Sequence, residues 1–201
     1  MSHIIEIDFT KGKHRHRRLH GGGKQQALAK ALGIKCAPYP SIIDATAGLG
    51  KDAFQIASLG CDVTLIEQQA ELAHALQTAL TSAKYDAELT AIIARMTLVT
   101  GNAMDIIPQL PHAAVIYLDP MFEARKKSAL VKKDMQQLQA VVTEPANNDQ
   151  LLAIARQYAE KRVVVKRAKT APFFMNAKPS YSLTGKSCRF DVYLRDVAKL
   201  K

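Results

Sequence analysis

The sequence predicts a doubly wound α/β fold, in which a mostly parallel seven-stranded sheet ends in an antiparallel hairpin. Short apolar runs alternate with segments of helical periodicity through most of the chain. That alternation is typical of a parallel sheet covered by helices on both faces. Near the end, two strand-like segments follow each other directly across a Gly185-Lys186 turn. A plain dinucleotide-binding domain lacks such a hairpin, so the hairpin narrows the fold class.

The elements can be assigned in chain order from this alternation. The predicted strands are 41–47, Val63–Glu67, 97–100, 115–118, 162–166, Tyr181–Thr184 and 188–194. The predicted helices are Lys51–Ser58, Ala70–Ala83, 86–95 and 151–160. Gly60 is expected to end the first helix, and Asp149 is expected to cap the last. We expect residues 1–35 to form a basic arm and a helix, and 36–201 the main domain.

Composition indicates a soluble protein rather than a disordered or membrane one. Hydrophobic residues make up 48% of the 201 residues, and the mean hydropathy is -0.09. No apolar run approaches the about 20 residues that cross a bilayer, and the start of the chain lacks the apolar block of a signal peptide. A cytoplasmic location and no membrane partner are expected. Cys36, Cys61 and Cys188 lie far apart, which predicts small buried residues rather than a zinc site or disulfides.

The charge distribution points to a polyanionic partner. The chain has 28 basic and 18 acidic residues, a net charge of +10. No acidic residue occurs from 11 to 43, a segment that includes Arg15, Arg17 and Arg18. Two further basic clusters contain Lys126, Lys127, Lys132 and Lys133, and Lys161, Arg162, Lys166, Arg167 and Lys169. One such cluster is often only a solvated face, but three together favour phosphate binding by counterion release.

The first candidate site is a glycine turn, Asp44-Ala-Thr-Ala-Gly48-Leu-Gly50-Lys51-Asp52-Ala, between a predicted strand and helix. Such a turn directs backbone N–H groups and a positive helix end at the crevice of the sheet. Gly48 and Gly50 are expected to let a ligand approach the backbone. The pattern also fits a nicotinamide fingerprint. Asp44 favours S-adenosylmethionine (SAM), because an acid there would repel a pyrophosphate but could bind the methionyl ammonium.

Two more residues follow the next strands. Glu67 ends the second strand, where a carboxylate can accept both ribose hydroxyls of either cofactor class. Asn102 follows the third strand and is a candidate for the adenine edge, although it could also be a simple turn residue.

The second motif, Tyr117-Leu-Asp119-Pro120-Met-Phe122, ends the fourth strand. An exocyclic amine of a nucleobase is a poor nucleophile, because its lone pair is delocalised into the ring. Asp119 and the Pro120 carbonyl can accept its two N–H bonds and localise that lone pair. Phe122 can stack on a flipped-out base and hold the amine in line with a methyl donor. Tyr117 and Met121 are candidates to line the pocket, whereas Phe190 is expected in the core.

Four segments together resemble the ribosomal RNA small subunit methyltransferase J family. They are His16-Arg-Arg-Leu-His-Gly-Gly-Gly23, Asp44 to Phe54, Tyr117 to Phe122 with Lys127 to Lys133, and Lys161 to Arg167. The resemblance runs from about Ile7 to Tyr193. It implies the class I SAM-dependent methyltransferase fold and methylation of a guanine N2 in 16S ribosomal RNA or the small subunit.

By motif position, the resemblance also implies the cofactor contacts. These are Lys51, Asp52, Glu67, Gln68, Asn102, Ala103 and Asp119. The sequence departs from the family in having Glu123 where members carry proline after the tetrapeptide, which could alter substrate fit. The chain also begins later than expected, as though an N-terminal segment were absent, which would affect RNA affinity more than cofactor binding.

Three other functions fit parts of the sequence. Methylation of adenine N6 in RNA or DNA uses the same tetrapeptide chemistry and differs in the product nucleoside. A non-catalytic RNA-binding assembly factor would be free to lose Asp44, Glu67 and Asp119, which are all present. A nicotinamide dehydrogenase would need a hydride-transfer acid or base, for which the sequence offers no convincing candidate. A metal site among His14, His16 and His20 is not expected, since the neighbouring arginines oppose cation binding.

Overall fold

A computed structural model describes residues 5–10, 23–120 and 148–195 of the chain. These residues build one seven-stranded sheet with the strand order β3-β2-β1-β4-β5-β7-β6. The strands are β1 Ile42–Asp44, β2 Val63–Glu67, β3 Met96–Thr100, β4 Ala113–Leu118, β5 Ala159–Arg167, β6 Tyr181–Thr184 and β7 Arg189–Leu194. Strands β1 to β5 are parallel, and β7 runs antiparallel to both β5 and β6. The predicted fold class, including its terminal hairpin, is confirmed.

Six described α-helices accompany the sheet. They are α1 Ala27–Leu32, α2 Lys51–Ser58, α3 Ala70–Ala83, α4 Thr90–Ile93, α5 Ala103–Ile106 and α6 Asn148–Tyr158. Short 3-10 turns occur at Gly23–Gln25, Ile107–Gln109 and Phe174–Asn176. No helix in the described ranges is long and apolar enough to span a bilayer.

The sheet separates two hydrophobic cores because side chains alternate between its faces. On one face, Tyr117, Val164 and Phe190 pack with the apolar sides of α1, α2 and α3. On the other face, Leu118 and Val165 pack with α5 and α6. The expectation that Phe190 belongs to the core is therefore confirmed. Apolar burial on both faces explains why the central strands read as continuous hydrophobic runs.

The N-terminal residues take part in the first core. Phe9 is 1% exposed, and its ring stacks on Phe54 of α2 with centroids 4.9 Å apart. Helix α1 buries Leu28 and Leu32 in the same core and ends at Gly33, which has a φ of 78°. The proposed division at residues 35 and 36 stays a prediction.

Strand β1 is shorter than the predicted 41–47. It stops at Asp44, because the Asp44 carboxylate accepts the N–H of Thr46 over 3.1 Å and starts a turn. The N–H groups of Ala45 and Ala47 then reach the carbonyls of β4 and β2. Local side-chain hydrogen bonding of this kind competes with a strand ladder.

Two predicted helices also differ from the structure. Only Thr90–Ile93 of the predicted helix 86–95 is helical, because Asp86 accepts the N–H of Glu88 and forms a turn. The predicted helix 151–160 ends at Tyr158, and β5 begins at Ala159. Asp149 lies inside this helix, so the predicted cap at that residue is wrong.

The cysteine prediction is correct for one residue. Cys61 is buried, Cys188 is partly exposed and Cys36 is exposed. The expectation of burial is therefore wrong for Cys36, which lies in the irregular segment between α1 and β1.

Candidate active site

The candidate site lies where the strand order reverses, between the carboxyl ends of β1 and β4. Asp44, the last residue of β1, pairs with Tyr117 of β4. In an open parallel sheet, this reversal leaves a crevice between the helices that follow the two strands. The glycine turn and the Asp119-Pro120 dipeptide, which are far apart in sequence, therefore meet at one edge.

Asp44 is a buried acid at the carboxyl end of β1. It is 2% exposed, and burial raises its pKa to about 8, although the Thr46 N–H opposes the shift. The acids Asp52 and Asp119 nearby raise it further. A carboxyl that is protonated at neutral pH in this position would lose its proton when a cation binds beside it, because the cation stabilises the carboxylate.

The two glycines of the turn have left-handed backbone conformations, with φ of 54° at Gly48 and 67° at Gly50. A Cβ on Gly50 would lie 2.8 Å from Leu76 Cδ1 and 3.3 Å from Phe9 Cζ. These neighbours belong to the hydrophobic core. The sequence predicts ligand approach at both glycines, whereas at Gly50 the structure gives core packing as the steric reason.

Glu67 ties β2 to the glycine turn. One carboxylate oxygen accepts the N–H of Gly48 over 2.7 Å, and the other accepts the N–H of Gln69 over 2.8 Å. Burial raises its pKa, although these backbone N–H groups oppose the shift. A carboxylate can accept about four hydrogen bonds, so Glu67 keeps acceptor capacity for a ribose hydroxyl beside its backbone donors.

The remaining cofactor candidates surround this edge. Lys51 begins α2 and is partly exposed, while Gln68 is exposed just after β2. Asn102 caps α5 by accepting the N–H of Met104 over 2.9 Å. Ala103, the first residue of α5, is 8% exposed.

Asp119 lies directly after β4 and is held by the glycine turn. Its N–H donates to Thr46 Oγ1 over 2.6 Å, while its side chain remains 40% exposed. Burial raises the pKa of Asp119 and Lys166 opposes that rise. Pro120 is buried behind it.

Lys166 of β5 is a site residue that the sequence motifs do not identify. Its ammonium lies 2.7 Å from Asp52 Oδ2 and 2.7 Å from Asp119 Oδ2. Asp52 Oδ2 also accepts the hydroxyl of Tyr117 over 2.7 Å. Tyr117 is fully buried, and burial raises the pKa of its hydroxyl well above the usual value. Tyr117 therefore holds Asp52 in position by a hydrogen bond from the buried side of the site.

The cluster from Lys161 to Lys169 is largely structural. Arg162 donates to the Ala31 carbonyl and to the Tyr181 hydroxyl. Arg167 is 6% exposed and donates twice to the Pro172 carbonyl. The expectation that this cluster forms a phosphate-binding face is therefore wrong for the buried Arg167, and for the other residues of the cluster it stays a prediction.

Several predicted site residues lie outside the described residues. They are Arg15, Arg17, Arg18, Phe122, Lys126, Lys127, Lys132 and Lys133. His14, His16, His20, Met121 and Glu123 also fall in these ranges. Their assigned roles stay predictions.

The chain is similar in sequence to known methyltransferases. The chain matches the SAM_MT family of SAM-dependent methyltransferases over residues 1–195. It is 48% identical over 199 residues to ribosomal RNA small subunit methyltransferase J of Pseudomonas syringae pv. tomato, covering 98% of this chain and 74% of that protein. The same enzyme of Ectopseudomonas mendocina is 50% identical over 191 residues, covering 94% and 74%.

A solved structure agrees over nearly the whole chain. A SAM-dependent methyltransferase from Neisseria gonorrhoeae superposes with a TM-score of 0.76 at 37% identity, covering 98% of this chain and 78% of that one. The resemblance stated from the sequence motifs is thus confirmed. The chain belongs to the ribosomal RNA small subunit methyltransferase J family of SAM-dependent methyltransferases.

Proposed function

We propose that this chain transfers a methyl group from SAM to the N2 amine of a guanine in 16S ribosomal RNA. The names of its relatives support an RNA of the small subunit as the substrate. The observation that carries the proposal is Asp119, which follows β4 in an Asp-Pro dipeptide with its side chain partly exposed at the crevice. Among the described residues, Asp119 Oδ2 accepts from Lys166, and Oδ1 accepts no hydrogen bond.

Asp119 Oδ1 is the acceptor for one N–H of the target amine. The Pro120 carbonyl is the acceptor for the other, and Phe122 stacks on the flipped base. Two acceptors fix the amine and turn its lone pair toward the donor for a direct in-line transfer, which needs no metal and no covalent enzyme intermediate. The bond from N2 to the methyl carbon forms as the bond from that carbon to the sulfonium sulfur breaks, S-adenosylhomocysteine leaves, and the amine loses one proton to solvent. Positioning of this kind can supply much of the rate enhancement of a bimolecular reaction.

The residues at the carboxyl ends of β1 and β2 have side chains that suit the charged and polar groups of SAM. When bound, SAM supplies a methyl group activated on a sulfonium. Asp44 is a buried carboxyl that an ammonium can ionise, and Glu67 keeps acceptor capacity for the ribose. Asn102 is assigned to the adenine edge. The other assigned contacts are Gly48, Gly50, Lys51, Asp52, Gln68, Ala103 and Asp119.

The basic residues outside the described ranges are assigned to RNA phosphates. Arg15, Arg17 and Arg18 form one group, and Lys126, Lys127, Lys132 and Lys133 form the other. Positive charge without acidic compensation is the usual footprint of nucleic-acid binding.

The decisive experiment transfers labelled methyl groups from SAM to 16S RNA or to small subunits from cells that lack the endogenous activity. The nucleoside that carries the label is then identified after digestion. N2-methylguanosine is expected, and it should disappear with Asp119→Ala. Retention of full activity by Asp119→Ala would overturn the proposed role of that residue.

The other outcomes separate the alternatives. Label in N6-methyladenosine would keep the fold and the cofactor but replace the target base. Absence of label, with SAM binding intact and RNA binding retained, would indicate an assembly factor on a methyltransferase scaffold. Each result contradicts the proposal in a different way.

A further inference from the structure

Lys166 occupies a rigid position beside both halves of the site. Its neighbour Val165 pairs with Leu118 of β4, and Lys166 itself pairs with Phe190 of β7. Strand ladders on both sides therefore fix the backbone from which the side chain extends. The side chain is only 28% exposed, so its ammonium has little freedom to leave the two carboxylates that it contacts.

The two carboxylates come from opposite halves of the site. Asp52 lies in the first turn of α2, on the side assigned to the cofactor. Asp119 follows β4, on the side assigned to the target amine. Lys166 contacts the Oδ2 atom of each at 2.7 Å. One ammonium thus sets the separation of two acids that would otherwise repel each other.

The contact also determines which oxygen of Asp119 remains for the substrate. Oδ2 is bound to Lys166 and the backbone N–H is bound to Thr46 Oγ1. Asp119 is therefore held through its backbone and through one carboxylate oxygen, and Oδ1 is the oxygen left among the described contacts. A phosphate-binding lysine would instead be exposed, without carboxylate partners at hydrogen-bond distance.

Several titratable groups face Asp119, and Lys166 is the cation among them. They are Asp44 of β1, Asp52 of α2, Tyr117 of β4, Lys166 of β5 and Cys188 beside β7. Burial raises the pKa of Asp119 and Asp52 adds to that rise, while Lys166 opposes it. Burial alone would lower the pKa of Lys166, but Asp52 and Asp119 outweigh burial and raise it above its usual value. The ammonium therefore stays charged and cannot serve as a base.

We propose that Lys166 is a positioning residue that holds Asp119 ionised and oriented for the target amine while it fixes Asp52 on the cofactor side. This inference rests on the proposed function, because it assigns Asp119 to the amine. It separates Lys166 from the basic residues that bind phosphates. The loss of Lys166 should therefore affect the chemical step and its pH dependence, rather than the affinity for RNA.

The test compares Lys166→Met, which keeps the length of the side chain, with Lys166→Arg, which keeps the charge. Lys84→Met is the matched control, since Lys84 is exposed at the end of α3 and its loss changes the net charge equally. For each variant, kcat and the RNA KM are measured across the pH range. Thermal unfolding confirms that each variant is folded.

For Lys166→Met, we expect kcat to fall by about 100-fold, as for a displaced reacting group, with the RNA KM unchanged. The acid limb of the kcat/KM profile should move up by about one to three pH units, because an opposite charge near a carboxylate shifts its pKa by that amount. Lys166→Arg should restore the acid limb, and Lys84→Met should match the wild type.

Two results would overturn the inference. An unchanged pH profile in Lys166→Met would show that Lys166 does not control the ionisation of Asp119. A raised RNA KM, together with a salt slope reduced by about one, would assign Lys166 to a phosphate.

A measurement without substrate keeps the inference testable if the proposed reaction fails. The carboxyl carbons of the aspartates are labelled with ¹³C, and the Asp119 signal is assigned by its loss in Asp119→Asn. Its apparent pKa should be higher in Lys166→Met than in the wild type. An unchanged value would refute the role of Lys166, while failure of wild-type RNA methylation alone would refute only the proposed function.

Discussion

Gly50→Ala tests whether the glycine turn is shaped by core packing. The new Cβ would lie 2.8 Å from Leu76 Cδ1 and 3.3 Å from Phe9 Cζ. Leu76 is fully buried and Phe9 is 1% exposed, so neither side chain can move into solvent to relieve the contact. The φ of 67° at Gly50 adds a backbone cost for any residue with a Cβ.

The two costs can be estimated separately. The left-handed backbone costs about 1–2 kcal/mol, and overpacking of a filled core costs about 1–3 kcal/mol. The free energy of unfolding should therefore fall by about 2–5 kcal/mol. Each kcal/mol lowers the Tm of a chain of this size by about 2–4 °C.

Gly23→Ala is the matched control, because Gly23 has a φ of 54° but its would-be Cβ has no atom of the described residues within 4 Å. It should show only the backbone cost. Guanidinium unfolding followed by circular dichroism gives both values, and calorimetry gives the affinity for S-adenosylhomocysteine. Equal stabilities of the two variants would refute the packing argument. A stable Gly50→Ala protein without cofactor affinity would instead restore the ligand-approach interpretation.

Three further predictions concern charge. The Asp44 carboxyl has a pKa of about 8 and is protonated in the free protein at neutral pH, so binding of a cationic ammonium should release a proton. SAM affinity measured by calorimetry should rise with pH toward 8 and lose this slope in Asp44→Asn, while a flat wild-type profile would contradict the assignment. Arg167→Met should lower the free energy of unfolding by about 1–3 kcal/mol and leave the RNA affinity, measured by filter binding, unchanged. Loss of RNA affinity at full stability would instead show that Arg167 binds phosphate. Replacing Lys126 and Lys127 by serine should reduce the slope of log affinity against log salt by about 0.7–0.9 per lysine, and an unchanged slope would remove them from the RNA contacts.

The fold and the ends of the strands could be predicted because their signals are local. Continuous apolar runs gave β2 and β4 with bounds close to those observed, since both faces of these strands are buried. The glycine turn and Asp119 were found because each is a short motif at a strand end. The error at β1 arose because the side chain of Asp44 turns the backbone, which apolar periodicity does not reveal.

Lys166 could not be identified from charge alone. In the sequence it is one of five basic residues between 161 and 169, and only the pairing of β4 with β5 brings it to Asp119. The sequence does contain a signal. Lys166 follows three valines at the end of one predicted strand, and Asp119 follows the end of another. Combining strand order with strand-end charges would have predicted the contact.

The position of β1 has a consequence for how the chain folds during synthesis. This three-residue strand lies between β2 and β4. It ends at Asp44, and β4 begins 69 positions later, at Ala113. Until then β1 is an unprotected edge, a position that promotes aggregation in partly folded chains. A nascent chain that has reached only β3 also lacks both Asp119 and Lys166. The crevice can therefore form only after β4 and β5 have been synthesised and have joined β1 in the sheet.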